Sequence, residues 1–134
     1  MADWFGTSRS NYFRVKDPAQ FEEEMAALSG LDVRQTKEGY YALFGDDGYG
    51  GWPSASYNEE TGDESDFDIV EIVSRHLAEG EVAVFMSAGA EKLRYISGYS
   101  EAVDHTGKRV VVSLNDIYEK AEEAFGVRPS SAEY

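Results

Sequence analysis

The sequence predicts an α+β fold, an antiparallel sheet with about three helices packed against it. Three observations lead there. Apolar residues recur at helical spacing in three segments, each opened by a capping residue and closed by glycine. Segments rich in aromatic and β-branched residues lie between them at strand length. The connections between these strands are short, which favours antiparallel pairing. At 134 residues, with 42% apolar and 13% aromatic side chains, the chain reads as one domain, 1–134, able to bury a core.

The elements follow in order. Asn11–Lys16 reads as a strand. Asp17-Pro18-Ala19-Gln20 opens the first helix, with Asp17 as N-cap, Pro18 at the first helical position and Gln20 at the third. Phe21, Met25 and Leu28 give that helix its inward stripe, and Ser29-Gly30 ends it. Asp32–Lys37 and Tyr40–Phe44 form a hairpin around Glu38-Gly39. From Gly45 to Asp66 glycines abound and periodicity vanishes, so residues 45–66 read as a long acidic loop, with Trp52 and Tyr57 docking part of it on the body. Ser65 or Asp66 would cap a second helix whose inward face is Phe67, Ile69, Val70, Ile72, Val73 and Leu77, with Gly80 as its stop. Glu81–Met86, Leu93–Val103 and Arg109–Leu114 read as strands, the last two joined by the turn Asp104-His105-Thr106-Gly107. A third helix runs from near Ser113 or Asn115 to Phe125, with Ile117, Tyr118, Ala121 and Phe125 inward.

Charge is the most informative feature. The chain has 26 acids against 12 bases, a formal net charge of −14. Between Lys37 and Arg75 lie ten acids and no base. Self-repulsion of this kind opposes compaction, so the fold alone does not explain it. A partner with a basic surface, a cation or solubility would. The aromatic content sets the chain apart from a disordered acidic tail.

Several chemistries are poorly provided for. With no cysteine, disulfides, thiolate metal sites and cysteine nucleophiles are excluded. The two histidines, His76 and His105, read as helix-end and turn residues, too few for a zinc site, and no nucleophile-elbow motif accompanies them. Asp63–Asp68 lacks the sixth-position glycine and closing glutamate of a calcium loop. Gly48-Tyr49-Gly50-Gly51 lacks the lysine and the strand-turn-helix context of a phosphate cradle. The acids lie in a polar loop and on helix surfaces, without the burial that tunes a catalytic carboxylate. The chain therefore reads as a non-enzyme needing no cofactor and no metal. Arg9, Arg14 and Lys16 are too few to bind nucleic acid against this net charge. Lacking an 18-residue apolar run and a signal-peptide pattern, it is expected in the cytoplasm of a bacterial host cell.

Three strings carry a likeness: Trp4-Phe5-Gly6-Thr7-Ser8-Arg9-Ser10-Asn11-Tyr12-Phe13-Arg14-Val15-Lys16-Asp17, Ala88-Gly89-Ala90-Glu91-Lys92-Leu93-Arg94-Tyr95 and Ser113-Leu114-Asn115-Asp116-Ile117-Tyr118. With the pattern between them they resemble a group of small acidic proteins of phages, plasmids and other mobile elements. The resemblance implies an inhibitor of host defence of the DNA-mimic kind, anti-CRISPR first and antirestriction second. The expected partner is a protein with a basic nucleic-acid-binding groove, which an acidic surface can occupy. The expected contact residues are Asp46, Asp47, Glu59, Glu60, Asp63, Glu64, Asp66 and Asp68, with Tyr49, Trp52 and Tyr57 as aromatic anchors. Glu22, Glu23 and Glu24 could extend the acidic face. The alternative is an immunity-like or accessory protein that binds a specific enzyme or toxin without imitating nucleic acid.

Overall fold

The computed structural model describes residues 4–46, 50–58, 60–92 and 94–132. Its elements in chain order are β1 (Trp4–Ser10), α1 (Pro18–Ala26), β2 (Leu31–Gln35), β3 (Tyr41–Gly45), β4 (Ala55–Asn58), β5 (Asp63–Asp66), α2 (Ile69–His76), β6 (Val82–Glu91), β7 (Tyr95–Asp104), β8 (Arg109–Ser113) and α3 (Asp116–Phe125). Six strands form an antiparallel sheet in the order β2-β3-β1-β6-β7-β8, and β4 pairs with β5 in a separate two-stranded sheet. The α+β class is the one expected.

The first strand starts earlier than its propensities suggest. Gly6-Thr7-Ser8-Arg9-Ser10 is a poor strand sequence, yet β1 sits between β3 and β6 and pairs with both. Tertiary position overrides propensity here. Its buried hydroxyls are satisfied: Ser8 donates to the Gly50 carbonyl at 2.8 Å, and Ser10 accepts from the Leu43 amide at 2.8 Å. The expected strand 11–16 is instead an extended segment making isolated bridges, Phe13 to Tyr41 and Val15 to Leu77.

One face of the sheet, the inner face, carries α1 and α2. Asp17 caps α1 by accepting from the Gln20 amide at 3.2 Å, and Phe21 and Met25 are buried as their spacing predicts. In α2, Ile69, Val70, Ile72 and Val73 are buried, with Phe67 partly so. They meet Phe13, Tyr41, Leu43, Phe85 and Val103 in one core. Phe21 lies centrally, its ring 4.9 Å from Tyr41 and 5.5 Å from His76. His76, read from the sequence as a helix-end residue, is buried, and its Nε2 meets the Glu24 carboxylate at 2.5 Å, a contact that satisfies the buried ring. The Tyr41 hydroxyl donates to Glu22, and burial together with that carboxylate pushes its pKa up to about 12.

Three further expectations are corrected. The 45–66 segment is not loop throughout, because β4 and β5 form a hairpin within it. Its polar residues gave no apolar alternation to announce a strand. Consequently Ser65 and Asp66 lie in β5, and Asp68 is the residue that caps α2, accepting from the Val70 amide at 3.1 Å. The third helix has the expected span but not the expected packing. None of its residues is buried, Ile117 is 59% exposed and Phe125 80% exposed. Its apolar stripe stays open to solvent, and Ile117 lines a wide cavity beside Ile96, Val112 and Leu114 of its own sheet without being buried on them.

Candidate functional site

The acidic segment begins where the chain leaves β3. Gly50, at φ +87°, lies so close to Gly6 of β1 that a Cβ there would stand 1.7 Å from the Gly6 carbonyl oxygen. Only glycine permits this backbone contact. Two residues on, the Trp52 ring stands 5.1 Å from Phe85, edge to face, and rests on Gly45. Pro53 is buried against Gly30. These contacts dock the segment on the body, as Trp52 was expected to do. Trp52 is partly buried against the core, so only part of its ring faces solvent. The Trp52 indole N–H finds no acceptor among the described residues.

Beyond this anchor, β5 presents its acids to water. Asp63, Glu64 and Asp66 are exposed, and no ion pair among the described residues uses them. Glu64 and Asp66 share one face of the ribbon, two residues or about 7 Å apart. Asp63 points to the other. Tyr57 stands opposite Glu64 in the register. Glu60 is exposed in the turn, and Asp46 accepts from the Gly50 amide at 3.2 Å. Asp47, Tyr49 and Glu59, and the side chain of Tyr57, lie outside the described residues.

Asp68 differs from its neighbours. It caps α2 and binds Arg109 at 2.6 Å, while Arg109 also donates to Glu101 at 2.8 Å. Partial burial raises the Asp68 pKa, but the Arg109 hydrogen bond and charge with the Val70 and Glu71 amides outweigh it and hold the carboxyl below its ordinary value. Its charge ties α2 to β7 and β8, and it is less available to a partner than the β5 acids. Glu22 and Glu24 are similarly engaged, with Tyr41 and His76. Among the described residues, no group of three or more His, Asp or Glu is placed to hold a metal ion.

A second surface escaped the sequence reading. The register places Phe44, Arg9, Met86, Ser100 and Val112 in one row across the sheet, on the face away from α1 and α2. On its β3–β1 side this outer face is covered by Arg9 and Arg34, whose guanidinium groups lie 4.9 and 5.5 Å from the Phe44 ring centre. Its β6–β7–β8 side has no such cover. There Met86, Ala88, Gly98, Val112 and Leu114 line an open apolar groove of about 320 Å³. The apolar runs Val82–Met86 and Val110–Val112 put apolar side chains on both faces of their strands, so without pairing partners they could not say which face was covered.

Comparison of the chain with family models, with curated proteins and with solved structures gave no match. No helix among the described residues is long and apolar enough to cross a membrane.

Proposed function

We propose that the protein is a non-enzymatic inhibitor that places its acidic β4–β5 hairpin in the basic nucleic-acid-binding groove of a bacterial defence complex. CRISPR interference complexes are the first candidate and restriction enzymes the second. The observation that carries this reading is the run Asp63, Glu64 and Asp66, exposed and engaged in no ion pair among the described residues. Charge left uncompensated by the fold is available to a partner, whereas the engaged carboxylates of Glu24, Asp68 and Glu101 are already matched. Long-range attraction between this region and a basic groove accelerates encounter.

The test is the kinetics of binding to the purified complex at several ionic strengths. The expected result is a steep fall of affinity with salt, mostly in the association rate. An affinity indifferent to salt would remove nucleic-acid imitation and favour an immunity-like contact with a specific enzyme or toxin.

A further inference from the structure

We propose that the outer face of β6–β7–β8 is the seat for α3 of a second copy of this chain, so that two copies exchange their third helices across a two-fold axis. Two unsatisfied surfaces carry the inference, and one chain supplies both. The first is the sheet groove, with Phe5, Met86, Ile96, Val110, Val112 and Leu114 all more than half exposed on the outer face or at its β8 end. The second is the stripe on α3. Ile117, Ala121 and Phe125 recur every four residues and align along the helix. Ile117 and Phe125 are wide open to solvent. The helix starts directly after β8 and still buries none of its residues on its own sheet.

Gly98 lies on the groove floor, with the Ser87 carbonyl oxygen 3.2 Å and Ala88 Cβ and Leu114 Cδ1 each 3.4 Å from where a Cβ would stand, so this chain's own atoms fill the floor and a partner helix would rest on Met86, Val112 and Leu114. Area agrees with a stable pair. The six sheet residues with Ile117 and Phe125, at roughly 100 Å² of apolar surface each, approach the ~800 Å² per partner of a standard interface.

Charge also favours a second copy. A chain of net charge −14 associates with itself only through a surface its acids avoid. The groove is such a surface, as no acid among the described residues lines it. Its one charged lining residue is Arg9, which stacks on Tyr12 and Phe44 and enters no ion pair among the described residues. A reciprocal contact of this kind is isologous and closes at two copies.

The experiment is sedimentation velocity on the full chain over a wide concentration range, for wild type, Val112→Asp and Ile117→Asp. Wild type is expected to be a dimer. Each variant should dissociate about 100-fold or more readily, since each buries an unpaired charge in both seats. Circular dichroism should show both variants folded, because neither residue belongs to the core. Mixing the two variants is the sharper arm. Helix exchange leaves one seat intact in the mixed pair, the Ile117→Asp groove holding the Val112→Asp helix, so a heterodimer should form where neither variant pairs alone. A wild type that stays monomeric, a Val112→Asp chain that stays dimeric, or a mixture that forms no heterodimer would each overturn the proposal.

Discussion

The β4–β5 hairpin and the outer face of β6–β7–β8 are both solvent-exposed, and they are chemical opposites. The hairpin carries Asp63, Glu64 and Asp66 with no base between Lys37 and Arg75. The groove is lined by Met86, Ala88, Val112 and Leu114 with no acid. Had the acidity served only solubility, carboxylates on the bare sheet face would have been the most effective place for it, because an exposed apolar patch is where association begins. Instead no acid among the described residues lines the groove, and Asp63, Glu64 and Asp66 stand on a ribbon outside the main sheet. The difference teaches that its two exposed regions suit two kinds of contact, one long-range and salt-sensitive, the other short-range and apolar.

The comparison can be broken most severely from the covered side of the sheet. Ile72 and Val112 are both aliphatic, but Ile72 lies in the α2 core and Val112 on the bare face. We predict that Ile72→Ala lowers stability by roughly 2–5 kcal/mol in a denaturant melt. Val112→Asp should leave that melt nearly unchanged while shifting self-association about 100-fold. A melt indifferent to Ile72→Ala, or destroyed by Val112→Asp, would mean that the two faces are wrongly assigned.

A smaller effect separates Asp68 from the β5 acids. Losing its cap and its Arg109 contact, Asp68→Ala should cost about 1 kcal/mol. Its folded pKa lies below the ordinary 3.8. The stability it contributes is therefore fully present above that value and is lost as pH falls through the folded pKa. An acid titration of stability should show wild type losing more than Asp68→Ala below about pH 4. Equal losses would place Asp68 with the unengaged acids.

The smallest stability effect is expected at the hairpin. The triple change Asp63→Asn, Glu64→Gln and Asp66→Asn should move the melt by no more than ~0.5 kcal/mol per site, as exposed substitutions do. A large loss of stability would show that these acids serve the fold.

Much of the fold was legible because it rests on local chemistry. Asp17-Pro18 with Phe21 and Met25 announced α1, the apolar face of α2 fixed its burial, and Asp104–Gly107 marked the β7–β8 turn. What failed had non-local causes. β1 is polar and is a strand because β3 and β6 flank it. β4 and β5 are four residues each, and β5 is wholly polar, too little for a period to show. The α3 stripe reads as core in any sequence, and only the fold reveals that Ile117 and Phe125 stay exposed. At the candidate site, the exposed acids of β5 were readable as charge. The engagement of Asp68 by Arg109, 41 residues away, and the packing of Trp52 on Phe85 were not.

The central claim is that the hairpin acids occupy a groove meant for nucleic acid. Its most direct test is displacement of bound nucleic acid from a purified CRISPR interference complex, comparing wild type with the folded Asp63→Asn/Glu64→Gln/Asp66→Asn variant. We predict that wild type displaces the nucleic acid and that the variant does so far less well at the same concentration. A variant that displaces it as effectively as wild type would contradict the claim and move function away from this hairpin.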